Sequence, residues 1–128
     1  MSPYNKYGNK KLDTPDGKFD SKYEYEEWCR LKLLERGHII SDLQRQVSIE
    51  LYPNLKTSQG VIRAIKYIAD FVYFENGKKI VVDAKGYETS EFKIKKKLLL
   101  WRYPDIVFVE RKKGKPEKRY ERRTWWKS

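Results

Sequence analysis

The sequence predicts one mixed α/β domain in the order helix, three strands, helix, strand. Three observations predict it. A capped helical segment lies between Ser21 and Gly37, two β-rich runs flank Asn76-Gly77, and a second helical segment halts before Pro104, ahead of the apolar run Ile106–Val109. The 128 residues suffice for one domain. Aromatic residues make up 15% of the chain, far from the aromatic-poor composition of chains that cannot fold.

In chain order, residues 1–19, with Gly8, Pro15 and Asp16-Gly17, read as an irregular lead-in. Ser21-Lys-Tyr-Glu24 has the form of a capping box, and the helix it opens runs to about Arg36 before Gly37. Val47, Ile49 and Leu51 alternate with polar residues, as in a strand ending near Pro53. Residues 53–60 read as a loop. Tyr67–Phe74 and Lys79–Ala84 are rich in β-branched and aromatic residues, and Asn76-Gly77 between them is a strong hairpin signal. A second helix should start near Ser90 and end at Tyr103, since Pro104 follows. Ile94, Leu98 and Trp101, at i, i+4 and i+7, should form its core face. Ile106–Val109 reads as a last buried strand. The expected core is therefore 20–110, followed by a basic tail, 111–128.

Charge narrows the function classes. Lys and Arg number 29 against 18 Asp and Glu, a net charge of +11. One Cys (Cys29) and one His (His38) exclude an internal disulfide and a structural zinc site of Cys/His type. No apolar run is long enough to span a membrane, and Met-Ser-Pro-Tyr-Asn-Lys at the N-terminus lacks a signal core. A small, soluble, cytoplasmic protein with a polyanionic partner is expected. The excess cations cluster: Lys93, Lys95, Lys96 and Lys97 in the second helix, then Arg111, Lys112, Lys113, Lys115, Lys118, Arg119, Arg122 and Arg123. Such clustering suits phosphate-backbone contacts, with a solvated surface as the plainer reading. Trp125 and Trp126 could stack on bases or pack at a dimer seam.

Chemistry enters through the hairpin. With Asn76 and Gly77 as the turn, paired positions sum to 153, so Asp70 lies opposite Asp83. Facing carboxylates must share a proton or a cation, and a hard ion such as Mg²⁺ suits them. Lys85 alternates onto the face of Asp83, beside that site. On the first helix, Glu24 and Glu27 fall inside the apolar stripe of Tyr25, Trp28, Leu31 and Leu34, where a carboxylate needs a reason. For Glu24 the capping box is one reason and an acidic pocket is another.

Asp70-x12-Asp83-Ala84-Lys85, after a helix beginning Phe19-Asp20-Ser21-Lys22-Tyr23-Glu24, resembles the PD-(D/E)XK nuclease superfamily, whose restriction-endonuclease-like core has the same αβββαβ order. Ile68-Ala-Asp70-Phe-Val-Tyr73, Val82-Asp83-Ala-Lys85-Gly86, Phe92-Lys-Ile-Lys-Lys-Lys97 and Arg102-Tyr-Pro-Asp105 are similar to small bacteriophage proteins related to Holliday-junction resolvases. The resemblance covers about residues 4–110. It implies a DNA endonuclease dependent on Mg²⁺ or Mn²⁺, acting as a homodimer on branched DNA inside a bacterial host. It also implies metal ligation by Asp70, Asp83 and the Ala84 carbonyl, Lys85 as the active-site lysine, Glu24 as the helix acid and Gln46 as a further site residue. Ala69 stands where the superfamily has proline, which shapes backbone rather than binding metal. Asp105 and Glu110, five apart on one strand, cannot chelate one ion. A nuclease acting on nicks, flaps or ends, and a non-catalytic nucleic-acid-binding module of the same fold, are the alternatives.

Overall fold

A computed structural model describes residues 11–84 and 88–123. The strands are β1 (Leu12–Thr14), β2 (Gly17–Phe19), β3 (Ser41–Tyr52), β4 (Leu55–Thr57), β5 (Gly60–Ile62), β6 (Ile65–Glu75), β7 (Lys78–Asp83), β8 (Val107–Glu110) and β9 (Lys118–Glu121). Two helices, α1 (Lys22–Arg36) and α2 (Ser90–Arg102), interrupt them. The central sheet has the order β3-β6-β7-β8-β9, antiparallel throughout except for β7 and β8, which run parallel across the α2 crossover. The expected αβββαβ order is therefore present, as α1, β3, β6, β7, α2 and β8.

The local signals explain the elements. Ser21 caps α1 by accepting from the Glu24 N–H at 3.0 Å, and the Gly37 N–H closes it on the Leu33 carbonyl. Thr89 caps α2 in the same way, accepting from the Phe92 N–H. Asn76 and Gly77 have φ of +53° and +80°, the positive pair that a two-residue hairpin turn requires. The β6–β7 register runs from Glu75↔Lys78 to Phe71↔Val82, so the sum of 153 holds along the recorded ladder.

The helices cover opposite faces of the sheet. Leu31 of α1 packs with Phe71, Tyr73, Ile80, Val82 and Val107. Leu99 of α2 packs with Leu51, Ala69, Val72, Val81 and Phe108. These faces expose an irregularity. Tyr67 and Ala69 belong to the α2 side, whereas Phe71 and Tyr73 belong to the α1 side, although all four are odd positions of one strand. The partner strand changes face at the same level. Val47 packs on the α2 side, but the Arg45 guanidinium lies 3.8 Å over the ring of Phe19, which neighbours Trp28 of α1. Between the pairs Arg45↔Phe71 and Val47↔Ala69 stand Gln46 and Asp70, and Gln46 has φ +54°. A left-handed glutamine in a strand costs on the order of 1 kcal/mol, and such strain collects at functional sites.

Four expectations need correction. The lead-in contains the β1–β2 hairpin, the presumed loop contains β4–β5, and the presumed tail supplies β9, which pairs with β8 from Val107↔Glu121 to Glu110↔Lys118. These are strands of three or four residues, too short to show an alternating pattern. The fourth concerns α2: Leu98 packs against the core as expected, but Ile94 and Trp101 are about 60% exposed, and the inward stripe is Phe92, Lys96, Leu99 and Tyr103. A lysine occupies that stripe because buried Glu110 needs a cation, and its presence hides the helical phase. β3 also begins at Ser41, well ahead of Val47. No helix among the described residues is long and apolar enough to cross a membrane.

Candidate functional site

The first turn of α1 delivers Glu24 to the point where the strands change face. Glu24 is fully buried, with Oε1 accepting from the Asp20 N–H at 3.1 Å and Oε2 from Gln46 Nε2 at 3.4 Å. The expected capping box forms with one change, since Glu24 takes the N–H of Asp20, one residue before the cap, rather than that of Ser21; one oxygen serves the helix start and the other faces the sheet. Gln46 Nε2 also donates to Asp70 Oδ1 at 3.4 Å, and Asp70 Oδ2 accepts the Ala84 N–H at 2.7 Å. One amide thus spans two buried carboxyl groups.

Asp70 is 5% exposed. Burial pushes its carboxyl up to about 7; the Ala84 N–H opposes the rise, while Asp83 and Glu24 reinforce it. Near neutral pH the Asp70 carboxyl therefore still keeps its proton part of the time.

Asp83 is turned to the other side. Its Oδ2 accepts from the Tyr67 hydroxyl at 2.7 Å. Tyr67 is itself held well above the ordinary tyrosine range, first by burial and then by Asp83. Asp83 and Tyr67 border an open cavity of about 460 Å³ whose rim carries Ser48, Lys66, Thr89 and Lys95. Asp70 and Asp83 therefore sense one another's charge across the end of β7 but bond to different partners. Among the described residues, no group of three His, Cys, Asp or Glu side chains stands in metal-ligand geometry.

The remaining candidates separate. Lys85 lies outside the described residues, as do Trp125 and Trp126. Glu27 is buried but apart from Asp70, paired with Arg111 Nε at 2.7 Å and with Arg30 at 3.0 Å. Of the two α1 acids, Glu24 meets Asp70 and Glu27 anchors the segment after β8. Arg111, also bound to Glu117, is thus a structural cation rather than an open phosphate ligand. So is Lys96, which pairs with Glu110 at 2.9 Å and Glu88 at 3.0 Å; burial works against its charge, but these two acids hold it above the ordinary lysine range. Lys95 pairs with Glu91 across one helical turn. Lys93, Lys97 and Lys113 are exposed and Lys112 is half-buried. Asp105 is exposed while Glu110 is buried on Lys96, so these two form no site.

Tyr67 and Lys66 were not legible as site residues. Within Ile65–Glu75 a tyrosine reads as core and a lysine as an exposed neighbour, and only the break in alternation brings them to Asp83.

Fold and site together define a class: a small α/β domain with helices on both faces of a mixed sheet, carrying a buried carboxyl pair where two strands change face. The chain belongs to the family described as "Protein of unknown function (DUF1064)", whose model matches residues 4–115. No curated protein matches it. The crystal structure of SSO0001 is similar at 16% identity with a TM-score of 0.43, over 76% of this chain and 49% of that one. The chain spans about half the length of that protein.

Proposed function

We propose that the protein is a divalent-metal-dependent DNA endonuclease of the PD-(D/E)XK type, acting on branched DNA as the resolvase-like bacteriophage proteins do. The observation that carries the reading is the buried Glu24–Gln46–Asp70 contact, with Asp83 close enough to raise the Asp70 carboxyl. A fold that buries two acids against each other and strains a glutamine to span them sacrifices stability for a charged task.

The donor set is chemically suited to Mg²⁺ or Mn²⁺, which take carboxylate and carbonyl oxygens. Asp70, Asp83 and the Ala84 carbonyl would hold the ion, with Glu24 beside them; a bound ion would supply an activated water and offset charge on the phosphate. Glu24 fixes the helix start against the strands, Gln46 holds the two carboxyl groups together, and Tyr67 orients Asp83. Lys85, two residues after Asp83, is the proposed active-site lysine. Exposed Lys93, Lys97 and Lys113 are the proposed phosphate contacts among the predicted cations. The homodimer and the four-way-junction substrate rest on the sequence resemblance.

A non-catalytic DNA-binding module is the second reading, favoured by the different partners that Asp70 and Asp83 bond to. Incubating a synthetic four-way junction, a flap and a matched linear duplex with Mg²⁺ separates the readings, with Asp83→Ala as control. Paired symmetric nicks in the junction alone, lost in the variant, support the proposal. Cutting of every substrate keeps the nuclease and removes the junction preference, and tight binding without cutting supports the module.

A further inference from the structure

The β4–β5 hairpin has no task in the fold. Every residue from Tyr52 to Arg63 is exposed, so the hairpin buries little against the domain. It is nonetheless well formed. Leu55↔Ile62, Lys56↔Val61 and Thr57↔Gly60 pair across it, and the Thr57 hydroxyl donates to the Gly60 carbonyl at 2.7 Å. At the base the Ala64 N–H donates to Asn54 Oδ1 at 2.7 Å. Gly60, at φ +115°, makes a turn that other residues would strain.

Its composition is one-sided. From Leu51 to Ala69 there is no Asp or Glu, while Lys56, Arg63 and Lys66 are present. Paired residues share a face, so Leu55 and Ile62 form an apolar face about half exposed, and Lys56 and Val61 form the other. A soluble domain rarely offers large aliphatic side chains on a projecting hairpin without a partner. The position matters too. Three residues after the hairpin ends, β6 begins, and its Lys66, Tyr67 and Ile68 line the cavity that contains Asp83.

We infer that the β4–β5 hairpin is a DNA-gripping arm that enters a groove of the substrate next to the Asp83 cavity. Lys56 and Arg63 contact phosphates, and Leu55 and Ile62 lie against sugars and base edges, as apolar wedges do in minor grooves. The assignment rests on the nuclease reading and goes beyond it in naming the element that touches substrate away from the chemistry. Charge favours DNA over a second copy of the chain, because an acid-free arm on a protein of net charge +11 meets mostly like charge on its twin.

The test uses the full chain and a labelled four-way junction with a linear duplex beside it, read by fluorescence anisotropy in Ca²⁺ across a salt series. Leu55→Ser/Ile62→Ser should weaken binding about tenfold, and Lys56→Gln/Arg63→Gln should flatten the log–log salt dependence by about two units. Both variants should melt like the wild type, because the substituted side chains are exposed, and both should sediment like it. Unchanged affinity and slope in both would overturn the arm. A wild-type dimer that becomes monomeric in Leu55→Ser/Ile62→Ser would overturn it in favour of a self-association surface. Wild-type protein that neither binds nor cuts any DNA would sink the nuclease reading itself, and the arm with it.

Discussion

Replacing Asp70 by Asn should make the protein more stable and inactive at once. The side chain is nearly isosteric, and its carbonyl oxygen still accepts the Ala84 N–H that Oδ2 accepts now at 2.7 Å. What changes is the charge, together with an Nδ2 that now faces Gln46 Nε2 until that amide turns its oxygen inward, which takes part of the gain. In the unfolded chain the carboxyl loses its proton near pH 4, whereas the fold retains it to about pH 7, because burial and then the neighbouring acids oppose ionisation. Between those limits the folded state binds the extra proton, so stability falls as pH rises through the window. A rise from 3.8 to about 7 corresponds to at most about 4 kcal/mol of lost stability above neutrality. The variant escapes that loss. Its thermal midpoint in EDTA should exceed that of the wild type by about 5–10 °C at pH 8, and the gap should close toward pH 4. Melting curves of both proteins at half-unit pH steps provide the assay. A variant less stable than wild type at pH 8, or a gap independent of pH, would refute the reasoning.

Two other perturbations probe the neighbouring groups. Lys96→Met removes the cation from Glu110, which is 4% exposed, and should cost about 3 kcal/mol in urea unfolding while leaving the salt dependence of DNA binding unchanged; an unchanged midpoint with a flatter salt dependence would return Lys96 to the phosphate contacts. Tyr67→Phe removes the hydroxyl that donates to Asp83, and Mg²⁺-dependent cleavage should fall about tenfold with recovery at higher Mg²⁺; full activity at every Mg²⁺ concentration would mean that Asp83 needs no such support.

The parts of the fold written in local signals were the parts that could be read. Ser21, Gly37, Asn76-Gly77 and Pro104 act through neighbouring backbone, so the α1 limits, the β6–β7 register and the end of α2 follow from them. β1, β2, β4, β5 and β9 are set by their pairing, with Phe19 and Tyr120 as the core contacts of β2 and β9, and three or four residues carry no periodic trace of that. The α2 face escapes the periodic pattern because Lys96 occupies an inward position beside Glu110, a partner fourteen residues away. At the site, Asp70 and Glu24 were legible as acids in apolar surroundings. The separation of Glu24 from Glu27, and the roles of Tyr67 and Lys66, depend on Arg111 and on the change of face at Gln46 and Asp70. Strict period-2 alternation cannot express such a change.

The central claim is that these carboxyl groups take a divalent cation for work on DNA. Calorimetric titration of Mn²⁺ at pH 6.5, where Asp70 is still mostly protonated, with a phosphorothioate junction present to prevent turnover, tests it most directly. Wild-type protein should show saturable uptake with proton release, since Asp70 must give up its proton, and both uptake and release should be lost in Asp70→Asn. Equal uptake by the two proteins would place the cation elsewhere and contradict the account.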